Sequence, residues 1–353
     1  MLTNLNTAYT DTRAGDLAWA LGRAALPALA VLDLEVGDGH GLRAQVELRL
    51  LGASHQVLVD AGRGECSETV ACLPGSQAPL PYGVARRIGA WDYEFGARIE
   101  TMSRRSFEAR AQELLALVTS AIREASNGLE VLERIRERTG VELQVLSGED
   151  EARLTFLAVR RWFGWSAGQL LVLDIGGGSL ELAGGIDEDP DIALSLPLGA
   201  GRMTRRFLPG ARGGGPPDLG ALAELDAHAT ELLAPAAERL RAAGKPDLVA
   251  ATSKTFRTLA RLTGAAPSSA GLRVGRQLSA TGLGQLIGFV SRIESSALAE
   301  LPGVSPDRAH QVPAGAAVAA AAMRALDVPF VRICPWALRE GVILRRLDSL
   351  GGV

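Results

Sequence analysis

The sequence contains little that would support a disulfide framework, a zinc site or a histidine-based hydrolase. Its 353 residues include only three cysteines, which predict a reducing, cytoplasmic environment rather than a set of disulfides. No cluster of Cys and His residues in the sequence has the spacing of zinc ligands. The four histidines are scattered and have no nucleophile pattern nearby, so a Ser-His-Asp hydrolase is not indicated.

Long apolar runs and an excess of basic charge are also missing. No stretch of 18 uninterrupted apolar residues occurs, so no membrane partner is expected. The most apolar early segment, residues 17–34, is interrupted by Arg23 and Pro27 and does not have the form of a signal peptide. The net charge of −3 excludes a surface that coats nucleic acid. A polyanionic partner would therefore have to bind at a local basic patch.

The composition indicates a globular protein with more than one domain. Apolar residues make up 47% of the chain and charged residues 22%, as in soluble globular proteins. A chain of 353 residues is too long to fold around one compact core, so two domains are expected. From about residue 105 onward, predicted strands and helices alternate, which is typical of an α/β protein with mixed sheets. The first 105 residues have weaker patterns, with strands predicted over residues 29–34, 44–51 and 56–59.

The most informative segment is Asp174-Ile-Gly-Gly-Gly-Ser-Leu-Glu181, which follows the apolar run at residues 170–173. Glycines let backbone N–H groups surround an anion because no Cβ intervenes. Acids at both ends would hold a divalent cation or a water beside that anion, so phosphate with magnesium is the expected ligand. A flexible linker is the alternative, and the apolar strands on both sides argue against it. The loop itself comprises Gly176, Gly177, Gly178 and Ser179.

A second acidic segment lies at the start of a predicted helix. Ser147 and Asp150 have the spacing of a capping box, and Glu151 follows them directly. With Glu149 also nearby, repulsion among the acids would raise the pKa of one carboxyl toward that of a general base. The alternative is a solvated acidic first turn, which suits the helix dipole.

Four segments, taken in order, resemble the exopolyphosphatase/guanosine pentaphosphate phosphohydrolase (Ppx/GppA) family, in its short two-domain actinobacterial form. They are residues 119–127, 146–154, 174–181 and 334–341. The resemblance extends over roughly residues 110–348. It implies two ribonuclease-H-like α/β domains of the actin-like ATPase (ASKHA) superfamily with a cleft between them. We expect an N-terminal domain at residues 1–154, a C-terminal domain at residues 155–335, and a last helix, about 336–353, that packs back on the first domain.

The family chemistry implies hydrolysis of the terminal phosphoanhydride bonds of inorganic polyphosphate, or of pppGpp, with Mg²⁺ as cofactor. It makes Glu151 the general base that activates water, and Asp174 and Glu181 the acids that bind the metal. The loop at residues 176–179 would cradle the phosphate, and Arg123 would reach it from the first domain; a surface arginine is the alternative reading of Arg123. The family often forms homodimers.

A polyphosphate chain also requires further positive charge. Candidates for this track are Arg202, Arg205 and Arg206, and Lys254 with Arg257 at the start of a helix, although solvated basic side chains are an equal alternative. The sequence Thr252-Ser-Lys254 stands where many actin-like relatives have a glycine turn against adenosine. That difference favours a bare phosphate chain over a nucleotide, and it argues against an ATP-dependent sugar or acid kinase.

The chain departs from the family at the first phosphate loop, where an Asp-x-Gly-Ser-Asn motif is expected and is not recognisable. Asp33 is the candidate for the metal-binding acid of that loop, and residues 51–55 are a weaker candidate for the loop itself. Three hypotheses remain open. The loop has diverged but works; or the protein is a sensor that binds (p)ppGpp or polyphosphate without cleaving it; or the N-terminal third is read in the wrong frame.

Overall fold

The computed structural model describes residues 29–36, 42–50, 53–60, 113–125, 127–139, 142–213 and 215–351. The chain divides into two compact units, Met1–Ser147 and Gly148–Val353. The division falls at residue 147 and not at the expected residue 154, because residues 148–163 form one continuous helix. Within the described residues, no helix combines the length and hydrophobicity that a membrane crossing requires.

The first unit contains a five-stranded sheet in the order β3-β2-β1-β4-β5. Strands β1, β2 and β3 form an antiparallel meander, and β4 lies parallel to β1 on its other side, followed by parallel β5. The strands are β1 (Leu29–Val36), β2 (Leu42–Leu50), β3 (Ala53–Asp60), β4 (Glu113–Val118) and β5 (Gln144–Val145). Two helices connect β4 to β5: α1 (Ser120–Arg123) and α2 (Gly128–Thr139).

The second unit contains a six-stranded sheet in the order β10-β11-β9-β6-β7-β8. Its strands are β6 (Leu170–Ile175), β7 (Leu180–Gly185), β8 (Ile192–Leu196), β9 (Leu248–Thr252), β10 (Gln277–Ser279) and β11 (Phe330–Ile333). Its helices are α3 (Gly148–Phe163), α4 (Ala200–Phe207), α5 (Leu219–Ala242), α6 (Ser253–Leu262), α7 (Ala280–Val290), α8 (Ser295–Ala299), α9 (Val312–Ala325) and α10 (Leu338–Gly351).

The two sheets share one topology. In the second unit β6, β7 and β8 form the antiparallel meander, and β9 then lies parallel to β6 with β11 parallel to β9. This repeats the arrangement of β1, β2, β3, β4 and β5 in the first unit. A meander whose first strand is extended by parallel strands is the arrangement expected of ribonuclease-H-like domains.

The first four residues of strand β6, Leu170 to Leu173, are apolar because both faces of the sheet are covered by helices. Leu171 and Leu173 join the core formed with α5 and α9. Leu170 and Val172, which point to the opposite face, pack with Phe156 of α3. A buried central strand is thereby fixed from both sides, and the loop that follows it starts from a rigid position.

Helix α10 packs along α3 within the second unit, and a glycine allows the close approach. A Cβ on Gly341 would overlap the carbonyl of Leu154. The Glu340 carboxylate caps the start of α10 by accepting the amide of Ala337 at 2.9 Å. In the sequence Arg339-Glu-Gly341, the glutamate therefore caps α10 and the glycine lets α10 cross α3. The expected packing of this helix on the first domain stays a prediction.

We expect Gly341→Ala to lower the free energy of unfolding by about 2 kcal/mol, because the added methyl group overpacks the α3–α10 crossing. The matched control is Gly288→Ala on the exposed side of α7, where a Cβ would meet no atom within 4 Å. That control should instead stabilise the protein by about 0.5–1 kcal/mol through helix propensity. Urea unfolding of both variants measures the difference, and equal effects would contradict the proposed crossing.

Candidate active site

The glycine-rich loop is a four-residue connection between two strands that pair up to its ends. Ile175 of β6 pairs with Leu180 of β7, and Asp174 pairs with Glu181. The amide of Gly176 donates to the carbonyl of Ser179 at 2.9 Å and closes the turn. The two predicted metal-binding acids therefore lie opposite one another at the base of the loop.

Backbone amides at the start of α4 hold this loop by donating hydrogen bonds to the carbonyl oxygens of the loop. Backbone amides donate to all three glycine carbonyls: Ala200 to Gly176 at 2.9 Å, Arg202 to Gly177 at 2.9 Å and Gly199 to Gly178 at 3.2 Å. Within the described residues, the amides of Gly177, Gly178 and Ser179 have no backbone acceptor. A fixed loop with several amides left to donate is an anion-binding arrangement.

Glycine is required at position 199 because the backbone of the loop lies directly against it. A Cβ on Gly199 would overlap the backbone of Gly178 and Ser179, so only glycine fits there. A Cβ on Gly177, in contrast, would meet no atom within 4 Å. The loop is thus tightly packed on the α4 side and open above Gly177. Sequence reasoning did not include Gly199 in the site, although the Leu198-Gly-Ala-Gly201 pattern was a visible signal.

Three carboxylates interact beside the loop. Glu181 is buried, and its pKa is raised well above the ordinary value by burial, then by the charges of Glu151 and Asp174. Hydrogen bonds from Ser179 and Ser195 oppose this rise in the pKa. The Ser195 hydroxyl donates to Oε1 of Glu181 at 2.9 Å. The predicted base and the two predicted metal acids are therefore one electrostatic cluster.

The position of Glu151 differs from that of the acids next to it. Glu151 is buried in the first turn of α3, with 7% of its surface exposed, whereas Glu149 and Asp150 are exposed. Glu149 forms an ion pair with Arg153 at 2.9 Å. A solvated acidic first turn thus describes Glu149 and Asp150 but not Glu151. The charge of Glu151 acts on Glu181 of β7, which is distant from it in the sequence.

The predicted basic residues of the second unit contact backbone carbonyls. Arg202 Nε donates to the Gly178 carbonyl at 2.7 Å, so this side chain helps to hold the loop. Arg257 Nε donates to the carbonyl of Ser253 at 3.0 Å, within the first turn of α6. Lys254 lies in the same turn, directly after strand β9, whose last residue, Thr252, pairs with Asp174. The phosphate-binding roles of Arg202, Lys254 and Arg257 stay predictions.

Two predicted site residues lie in the first unit. Arg123 is half-buried at the end of α1, and its guanidinium donates to the carbonyl of Leu146. Asp33 lies in β1 opposite Gln45 of β2, and its side chain is outside the described part of the structure. The roles predicted for both residues remain untested by this geometry.

The donor set at the base of the loop fits a hard divalent cation. In the part of the chain that the structure describes, no group of three or more His, Cys, Asp or Glu residues forms a ready metal-binding set. Mg²⁺ does not require one, because it usually binds one or two carboxylates and completes its shell with waters and substrate phosphates. Asp174 and Glu181 offer such a pair, and a cation would relieve the repulsion that raises the pKa of Glu181.

Comparison with known proteins identifies similar sequences and folds. A family model described as the Ppx/GppA phosphatase family matches residues 99–350. The chain is 55% identical over 300 residues to exopolyphosphatase 1 of Mycobacterium tuberculosis, covering 84% of this chain and 85% of that protein. It is 53% identical over 299 residues to exopolyphosphatase 1 of Mycobacterium leprae, covering 84% and 86%.

Solved structures share the fold at low sequence identity. An exopolyphosphatase from Cytophaga hutchinsonii superimposes with a TM-score of 0.69 at 18% identity, covering 91% of this chain and 98% of that one. The Aquifex aeolicus Ppx/GppA family member gives a TM-score of 0.65 at 19% identity, covering 91% and 97%. These similarities confirm the predicted α/β fold with ribonuclease-H-like domains.

The N-terminal residues have a second similarity. Residues 14–137 match a different family model, described as a protein of unknown function, DUF2617. This is the region in which the first phosphate loop is not recognisable. A stretch translated in the wrong frame would not match a family model, so the hypothesis of a misread N-terminal third loses support.

We expect Gly199→Ala to displace the glycine loop and to weaken binding of tripolyphosphate by at least about 10-fold, because a shift of about 1 Å misaligns a preorganised site. Gly177→Ala is the contrasting variant: its methyl group enters open space, so the melting temperature should not change while anion binding weakens. Calorimetry and thermal melts measure both quantities. Wild-type binding by Gly199→Ala would contradict the tight packing of the loop on α4.

We expect Glu181→Gln to raise the free energy of unfolding at pH 8 in EDTA. The pKa of Glu181 is higher in the folded state than in the unfolded state. The resulting loss of folding free energy is absent below the unfolded pKa of about 4.3 and grows as the pH rises toward the folded pKa. The variant should therefore lose less stability than the wild type between pH 5 and pH 8, measured by urea unfolding. The exposed Glu149→Gln is the control, and an equal response of the two variants would refute the assignment.

Proposed function

The chain belongs to the Ppx/GppA phosphatase family, and on that premise we propose that it is a metal-dependent exopolyphosphatase. It would remove the terminal phosphate of inorganic polyphosphate, and pppGpp would be a second substrate. The observation that carries this proposal is the cluster of Glu151, Asp174 and Glu181 at the base of a loop in which three amides have no backbone acceptor among the described residues. The exopolyphosphatases of two mycobacteria, each more than half identical to this chain, support the same substrate.

The glycine loop would bind the terminal phosphoryl group. Amides of Gly177, Gly178 and Ser179 would donate to its oxygens, and the open space above Gly177 would admit it. Because α4 already fixes the loop carbonyls, these donors need no reorganisation as charge develops in the transition state. The loop thus supplies both binding and electrostatic stabilisation.

Glu151 would act as the general base. It would accept a proton from a water whose oxygen attacks the terminal phosphorus, while the bond from that phosphorus to the bridging oxygen breaks and the shortened chain departs. Burial favours this role, since it excludes bulk water and holds the carboxylate in one position. Asp174 and Glu181 would hold Mg²⁺, which when bound neutralises charge on the phosphoryl oxygens.

Basic residues would guide the rest of the polyphosphate chain. The Nε–carbonyl hydrogen bonds of Arg202 and Arg257 orient their guanidinium groups before any substrate arrives. We include Lys254 in this track, and we keep Arg123 and Asp33 as candidate residues for phosphate and metal binding. We also propose a cytoplasmic location and a homodimer as the working assembly.

A second candidate function is a sensor that binds polyphosphate or (p)ppGpp without cleaving it. The observation that favours it is the match of residues 14–137 to another family model where the first phosphate loop is expected. Binding of (p)ppGpp or polyphosphate in calorimetry, without release of orthophosphate in the presence of Mg²⁺, would support the sensor and exclude the enzyme.

We expect Glu151→Gln to lower kcat for orthophosphate release by about 10²–10⁴, because the amide cannot accept the proton of the attacking water. The matched control is Glu149→Gln, two residues away in the same turn, exposed and paired with Arg153. That variant should keep its rate within about threefold of the wild type, since exposed ion pairs contribute little. A Glu151→Gln variant with the wild-type rate would exclude Glu151 as the base.

A further inference from the structure

A serine outside the four family-like segments contacts Glu181, one of the three interacting acids. Ser195 lies on β8, directly opposite Glu181 of β7 in the antiparallel ladder. Its hydroxyl donates to Oε1 of Glu181 at 2.9 Å. The contact depends on the pairing of the two strands, because 14 residues separate the partners along the chain.

The environment of Glu181 makes this hydrogen bond consequential. A buried carboxylate needs donors to replace the water that it has lost, and Glu181 also lies close to the charges of Glu151 and Asp174. Two hydroxyls supply such donors, Ser179 from the loop and Ser195 from the neighbouring strand. Ser179 belongs to the loop that would bind phosphate, whereas Ser195 lies on β8 and pairs with β7 in the antiparallel ladder.

We propose that Ser195 is a positioning residue that fixes the orientation of the Glu181 carboxylate for cation binding. With Oε1 held by the Ser195 hydroxyl, rotation of the carboxylate is restricted and the direction of Oε2 is set as well. Groups that orient a metal ligand in this way affect metal affinity and activity strongly. The inference rests on the proposed function in one respect: it takes Glu181 as a ligand of the Mg²⁺ that hydrolysis requires.

The test compares Ser195→Ala, Ser195→Thr and a control, Ser291→Ala, whose hydroxyl donates to the Gly288 carbonyl in α7. Calorimetric titration with MgCl2 alone measures cation affinity without substrate, and orthophosphate release gives kcat and KM. For Ser195→Ala we expect Mg²⁺ affinity and kcat each to fall by about 10-fold or more, with KM for polyphosphate unchanged. Ser195→Thr retains the hydroxyl and should recover both within about threefold.

The outcomes separate this inference from the proposed function. A Ser195→Ala variant with wild-type Mg²⁺ affinity overturns the inference, as does a Ser195→Thr variant no better than alanine, or a wild type that binds no Mg²⁺. An equal loss of affinity in Ser291→Ala also overturns it, because the effect would then be general destabilisation. If Ser195→Ala weakens Mg²⁺ binding but the wild type releases no orthophosphate, the inference stands and the enzyme proposal fails.

Discussion

The gathering of three interacting carboxylates, two of them buried, at the base of one loop is the constraint on which the site depends. Glu151, Asp174 and Glu181 come from a helix and two strands, and the burial of Glu181 together with the charges of the other two raises its pKa, which opposes folding. The covered sheet and its paired strands hold them there despite this cost. In the proposed function, a bound cation would supply the opposite charge that offsets this repulsion.

Close backbone approach explains the glycines that surround this cluster. Gly199 lets α4 reach the loop, and its neighbours hold the loop carbonyls, so the remaining amides are fixed before a ligand binds. Gly341 lets α10 cross α3, the helix that carries Glu151. Gly177 has a different role, since it borders open space. Glycine therefore allows close packing at two of these positions, whereas at the third it borders open space.

The two units share one strand order, although the second family model matches residues of the first unit only. Residues 14–137 match a second family model, yet β1, β2, β3, β4 and β5 repeat the order seen in β6, β7, β8, β9 and β11. Strand order depends on the pattern of apolar and polar residues in each segment and on the shortness of the connections. Many different sequences satisfy these conditions. Phosphate chemistry depends on particular side chains, so a conserved strand order does not guarantee a working first loop.

The sequence by itself determined the α/β class, the family and the glycine loop with its flanking acids, because each of these is written in contiguous residues. A strand, a turn and a capped helix are local, and their patterns are readable without coordinates. Only the tertiary structure decided that Glu151 is buried while Glu149 is exposed, that Gly199 packs on the loop, and that Ser195 meets Glu181. These facts depend on strand pairing and helix packing between distant segments, which no local pattern contains.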